Sequence, residues 1–150
     1  MEARDLAAAV DTFAPDAVLR SPLTDMLTFS GREEIRAVLG VILEIFDGLH
    51  YTDELGGAES AVLVAGARVD GIEIEMVDHM RLDESGKIRE LTVFFRPLPA
   101  TAAAMRAIGA GLGRRKSRGR AAAISMLTQP LGLMTRVGDK VGVRLVRPTL

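Results

Sequence analysis

AVLVAGARVDGIEIEMVDHMRL, residues 61–82, decides the fold. Asp70-Gly71 is a dipeptide favoured in two-residue type I′ turns, which need positive φ at both central residues. It sits between Ala61–Val69 and Ile72–Leu82, both rich in β-forming side chains. A hairpin follows. Antiparallel register about that turn sets Val69 opposite Ile72, Ala67 opposite Ile74, Ala65 opposite Met76 and Leu63 opposite Asp78 on one face. Arg68 meets Glu73 on the other.

Working outward, Asp83-Glu84-Ser85-Gly86 forms a second turn into a strand over 87–96, in which Leu91, Val93 and Phe95 alternate with Glu90, Thr92, Phe94 and Arg96. Upstream, His50 to Leu55 reads as an edge strand. Arg32 to Phe46 is the main helix: Ile35, Val38, Leu39, Ile42, Leu43, Ile45 and Phe46 form one stripe, with Glu33 and Glu34 in the first turn and Gly48 past the end. Asp5 to Phe13 has helical spacing at Leu6, Val10 and Phe13, Pro15 suits the turn after it, and Ala17–Ser21 and Leu27–Ser30 are short extended pieces. This order predicts an α+β domain over residues 1–97, a curved antiparallel sheet wrapped around helices to form a cone with an apolar pocket. Residues 98–150 form a helical and basic C-terminal extension. In it, 102–112 is expected to be helical, 121–127 another short helix, and 141–146 strand-like.

Charge separates the two parts. Residues 1–97 carry nine Arg/Lys and nineteen Asp/Glu, a net −10, whereas 98–150 carry ten Arg/Lys and only Asp139, a net +9. The absence of cysteine excludes disulfides, thiolate metal sites and cysteine nucleophiles, and two histidines leave few ligands for zinc. No metal or cofactor is expected. No apolar stretch approaches the roughly 20 residues of a membrane-spanning helix, and Glu2 and Asp5 follow Met1 in place of a basic leader, so the expected location is cytoplasmic.

Asp78 is the leading candidate for chemistry. Register turns it inward among Met76, Met80, Leu63 and Val93, where desolvation favours the neutral carboxyl. The competing reading, a structural aspartate bonded to backbone donors or to an arginine, stays open at this point. Tyr51 shares a face with Leu49, Asp53 and Leu55 and is positioned either to offer its hydroxyl to the pocket or to rest half-buried at the edge. His79, next to Asp78, falls on the opposite face. Asp25 reads as a loop aspartate. The methionines suit an adaptable cavity or any core.

Three blocks resemble the nuclear transport factor 2-like superfamily of cystatin-like folds, which includes ketosteroid isomerase, limonene-epoxide hydrolase and SnoaL-like cyclases. They are Phe13–Val18 leading to Ser21-Pro22, Gly31-Arg32-Glu33-Glu34-Ile35, and Val77–Asp83 running through Gly86-Lys87-Ile88. The resemblance spans roughly residues 5 to 97 and is more specific for fold than for function. By it, Asp78 occupies the place of the isomerase aspartate that stays protonated and donates to an oxyanion. The isomerase's base, an aspartate before a proline, is replaced by Ser21, and the oxyanion tyrosine's helical stretch is missing from the short N-terminus. Arg68-Val69-Asp70 is similar to the hydrolase's Arg-x-Asp element, but Asp70 falls at a hairpin tip and Val93 stands where the second aspartate belongs.

The sequence therefore favours a pocket protein for a small hydrophobic ligand, with Asp78 as the tentative reactive group and Tyr51, Leu63, Met76, Met80, Leu91, Val93 and Ser21 as lining. An isomerase, cyclase or hydrolase using Asp78 as acid or oxyanion donor is the alternative. Outward-facing Val62, Val64, Val77 and Phe94 suggest a homodimer. For the basic run Arg114–Arg120, docking on the chain's own acidic body or dimer contacts is favoured over nucleic acid or anionic membrane, because no aromatic is interleaved.

Overall fold

The computed structural model describes residues 6–116 together with residues 130, 134, 135, 137 and 138. The expected helix at 121–127, the strand-like piece at 141–146 and residues 117–120 of the basic run lie outside the described residues. The elements are α1 (Leu6–Asp11), β1 (Phe13–Arg20), β2 (Thr28–Ser30), α2 (Gly31–Ile45), β3 (Asp47–Gly56), β4 (Ser60–Val69), β5 (Ile72–Leu82), β6 (Ile88–Arg96) and α3 (Leu98–Lys116). One six-stranded sheet runs in the order β2-β1-β6-β5-β4-β3. No helix among the described residues is long and apolar enough to cross a membrane.

The β4–β5 hairpin has the register read from the sequence, down to Leu63 opposite Asp78 and Arg68 opposite Glu73. Asp70 at φ 50° and Gly71 at φ 73° make the turn, and Arg68 ion-pairs with Glu73 across it. One pairing departs from the expected all-antiparallel sheet: β1 lies parallel to β6. Side-chain alternation carries the same signal for either strand direction, so the sequence pattern could not distinguish them.

The N-terminal helix is shorter than its spacing suggests. Phe13 starts β1 instead of ending α1, and Pro15 lies inside β1, not in a turn. The β1–β6 register shifts between Phe13 and Val18, and an irregular strand segment tolerates a proline that cannot donate to a ladder. The Arg32 guanidinium uses this irregularity: its Nε donates to the Phe13 carbonyl at 2.8 Å, tying the start of α2 to β1. At the same helix start, the Ser30 amide donates to Glu34 Oε2 at 2.8 Å, satisfying one orphan donor.

Helices α2 and α3 cover the inner sheet face, where Ile35, Val38, Ala65, Ala67, Ile74, Met76, Leu91, Ala103, Ala104 and Ile108 form one core. Thus α3, the first element of the expected extension, is packed into the same core as the preceding strands. It starts at Leu98, ahead of the expected Ala102, with Pro99 in the first turn where a missing N–H costs no helical bond. Near the other end of α3, Arg115 Nη1 donates to the Ala37 carbonyl at 2.9 Å and Nη2 reaches Glu44 at 3.2 Å, both on α2.

The α2–α3 contact depends on a glycine. A Cβ at Gly111 would lie 2.4 Å from Val41 Cγ1, and Val41 is fully buried. Gly111→Ala should therefore lower unfolding free energy by about 1–3 kcal/mol through overpacking, despite the roughly 1 kcal/mol that alanine gains over glycine in a helix. Chemical denaturation checks this: combined with Val41→Ala, the loss should be smaller than the sum of the two single losses, and a stabilised Gly111→Ala protein would contradict the close approach.

Candidate functional site

Between the two helices and the inner sheet face lies a cavity of about 480 Å³, within the range of roughly 300–1,000 Å³ common for small-molecule sites. The sheet contributes Leu19, Ala65, Met76, Asp78, Leu91, Val93 and Phe95; α2 contributes Val38, Leu39, Ile42 and Leu43, and α3 contributes Ile108. Ala8, Ala9 and Thr12 come from α1 and its end, while Ser21, Pro22, Leu23 and Leu27 come from the segment between β1 and β2. Phe29, Phe46, Gly48, Leu49 and Tyr51 complete the wall. Leu27 and Tyr51 are 42% and 61% exposed and mark the side open to solvent.

Among the described residues, Asp78 is the only carboxylate lining this cavity. It arrives there because β5 alternates faces from the Asp70-Gly71 turn, placing Met76, Asp78 and Met80 inward and Val77 and His79 outward. Desolvation pushes its carboxyl up to about 6. Among the described residues, no hydrogen-bond donor and no arginine or lysine partners this carboxylate.

Tyr51 and Leu49 line the cavity, but Asp53 and Leu55, expected on the same face of the strand, do not. The β3–β4 register pairs Tyr51 with Ala65, then slips before Asp53, which pairs with Val64, and Leu55 pairs with Val62. The extra residue is a bulge that inverts alternation, so Tyr51 and Leu49 face the cavity whereas Asp53 and Leu55 face away. The Thr52 hydroxyl donates to the Val64 carbonyl at 3.3 Å within this bulge. Although most of the Tyr51 surface is exposed, its hydroxyl is pushed above the usual phenol value, first by desolvation and then by the charge of Asp78.

Met76, Leu91, Val93 and Ser21 join Asp78 and Tyr51 at the cavity wall. Leu63 and Met80 pack instead with the hydrophobic core and are not among the lining residues. The Ser21 hydroxyl accepts a hydrogen bond from the Leu23 amide at 3.2 Å, shaping the loop that follows. Asp25 is exposed and outside the lining. Asp70 is engaged at the hairpin tip with Arg106, so the Arg68-x-Asp70 element faces away from the cavity chemistry.

Sequence reasoning missed the helical and loop contributions: Leu39, Ile42, Phe46 and Ile108 were legible only as core positions, and Phe29 as part of a short strand. The signal was their apolar spacing, which does not distinguish a side chain packed on a wall from one lining a void.

The SnoaL-like domain family model matches residues 1–91. A steroid Δ-isomerase structure from Pseudomonas aeruginosa is 32% identical, with 76% of this chain and 81% of that chain covered and a TM-score of 0.64. A conserved bacterial protein of cystatin-like fold from Silicibacter pomeroyi is 24% identical over 77% and 79% of the two chains, at a TM-score of 0.66. A ketosteroid isomerase-like protein from Catenulispora acidiphila, solved with trimethylamine, is 16% identical over 67% and 82%, at 0.53. The two latter similarities concern the fold. No curated protein matches the chain significantly.

The elevated Asp78 carboxyl has a defined consequence for stability. The folded state holds the proton more tightly than the unfolded chain, so stability is greatest below the ordinary aspartate range and falls as pH rises from about 4 through about 6. Each pH unit of displacement corresponds to about 1.4 kcal/mol, so the ionised carboxylate costs up to about 3 kcal/mol at neutral pH. Asp78→Asn should accordingly be more stable than wild type at pH 7.5 by up to about 3 kcal/mol, with the advantage shrinking toward pH 4. Urea unfolding at several pH values tests this, and a destabilised variant at pH 7.5 would show that the carboxylate is structurally engaged.

Proposed function

Because the chain belongs to the SnoaL-like domain family, we propose that its cavity binds a small hydrophobic molecule, with Asp78, and with Tyr51 and Ser21 at its polar positions, as anchors. The observation that carries this reading is a carboxylate without a hydrogen-bond or ion-pair partner among the described residues, in a mostly apolar wall whose other polar side chains are the hydroxyls of Thr12, Ser21 and Tyr51. Apolar area supplies affinity, and one polar group fixes orientation.

A second reading, an isomerase- or cyclase-type enzyme, draws support from the 32% identity to a steroid Δ-isomerase and from a carboxyl poised to hold a proton near pH 6. In that chemistry Asp78 in its protonated form donates to a developing oxyanion. Proton abstraction also needs a base within hydrogen-bond reach of the substrate. Ser21, at the position the isomerase family gives to its base, is a hydroxyl already accepting from Leu23, and among the described residues no second carboxylate lines the cavity. This weighs toward binding without isomerisation. The reading also includes a homodimer through the outer sheet face around Val62, Val64, Val77 and the exposed Phe94; a monomeric mass in sedimentation equilibrium would refute it.

Native mass spectrometry of the purified protein against a library of neutral and charged apolar compounds tests the binding reading. Retained ligand should drop at least tenfold in Val93→Trp, which fills the cavity beside Asp78, while the melting temperature stays near that of wild type. Chemical conversion of a bound compound by wild type but not by Asp78→Asn would instead establish the enzyme reading.

A further inference from the structure

Six aromatic residues occur in the chain, and four of them, Phe29, Phe46, Phe95 and Tyr51, line the cavity that contains Asp78. Phe46 and Phe95 meet at 6.0 Å between centroids with their planes tilted by 56°, so their rings form an angled corner and not a flat stack. The faces of such rings carry negative potential. Among the described residues no lysine, arginine or histidine lines the cavity, so Asp78 is the one lining side chain there that carries a full charge when ionised.

On β5 and β6 the outward-facing acids have basic partners. Of the three acids on β5, Glu73 is paired with Arg68 and Glu75 with Arg96 at 2.8 Å; on β6, Glu90 takes Arg20 at 3.2 Å. Asp78, the third, has none among the described residues. A neutral apolar ligand would leave that carboxylate uncompensated, and an anionic one would add like charge to it.

We infer that the ligand is a cation, an ammonium or protonated amine on an apolar body, with its charge on the Asp78 carboxylate and its hydrocarbon against the cavity's aromatic rings. This rests on the reading of the cavity as a hydrophobic binding site and specifies the charge of its occupant. A carboxylate set among aromatic and aliphatic side chains is the chemistry that recognises an alkylammonium on an apolar body, by ion pairing and by burial of the hydrocarbon. Of the side chains that α1, β1, β2, α2, β3, β4, β6 and α3 contribute around Asp78, the Tyr51 hydroxyl is the only other titratable group, and it stays protonated through neutral pH. The pH dependence of cation binding therefore reports Asp78.

Benzyltrimethylammonium and neopentylbenzene form an isosteric pair that differs in one atom, a charged nitrogen for a neutral carbon. Binding of each to the full chain is followed by ligand-observed nuclear magnetic resonance between pH 5 and pH 8, with cyclohexyl phenyl ketone as a neutral hydrogen-bond acceptor. At pH 8 the cation should bind at least tenfold more tightly than its isostere. The cation's affinity should fall about tenfold on going to pH 5, as Asp78 takes up its proton, while that of neopentylbenzene stays level. Asp78→Asn, whose folding is verified by its melting curve, should abolish the cation's advantage and keep the neutral compound. Equal or tighter binding of neopentylbenzene or the ketone at pH 8 overturns the cation assignment and leaves the hydrophobic pocket standing. Failure of all three probes to bind overturns the pocket reading along with it.

Discussion

A two-residue turn at Asp70 and Gly71, both in the left-handed region, fixes the parity of β5, and most of the site follows from that parity. Side chains alternate faces along a strand, so a slip of one residue would turn Asp78 out and carry Glu73, Glu75 and His79 in. Burying those carboxylates, now held outside by Arg68 and Arg96, would remove solvation without supplying partners. The same register that keeps the outer ion pairs therefore delivers one acid to the interior. The inward Asp78 is a consequence of how the hairpin closes.

The cavity around it results from elements that are irregular in compensating ways. A bulge in β3 lets Tyr51 and Leu49 look inward while Leu55, two residues beyond it, faces solvent, and the break in β1 register near Pro15 provides a carbonyl for Arg32 to hold α2 in place. Regular strands would produce a flatter face, against which α2 and α3 could close without leaving space. The close approach of the two helices at Gly111 and Val41 shows that packing elsewhere is tight, so the void beside Asp78 is local.

Much of this was legible in the residues. The hairpin register, the alternation of β6 and the stripe of α2 all follow from short-range periodicity, and Asp78 with Met76, Leu91 and Val93 followed from them. What was not legible depended on longer-range geometry. The parallel pairing of β1 with β6 leaves no trace in alternation; the β3 bulge inverts parity without any glycine or proline at Thr52 to announce it; and Pro15 reads as a turn unless the irregular ladder beside it is known. Leu63 and Met80 were assigned to the lining by face alone, but a face is wider than a cavity, and both are used up in core contacts. Membership of the wall is decided by where the helices stand off from the sheet, which no local pattern encodes.

An inward carboxylate has two ordinary explanations, and the contacts separate them. A structural aspartate accepts local hydrogen bonds or pairs with arginine, as Asp83 accepts from the Ser85 hydroxyl and from the amides of Lys87 and Ser85 in its turn; the Ser85 hydroxyl first, then the Lys87 amide, draws Asp83 below its usual range. Asp78 has the opposite environment and the opposite displacement, to about 6, from desolvation. Its ionised form is then a net cost to folding at neutral pH, and sequences retain such costs mainly where function requires them. Among the described residues no side chain compensates that charge, which leaves a proton in acid, or the ligand proposed for the cavity, as the means of compensating it. The proposed cationic, largely apolar ligand matches such a site, with an uncompensated carboxylate in a wall that is mostly hydrocarbon.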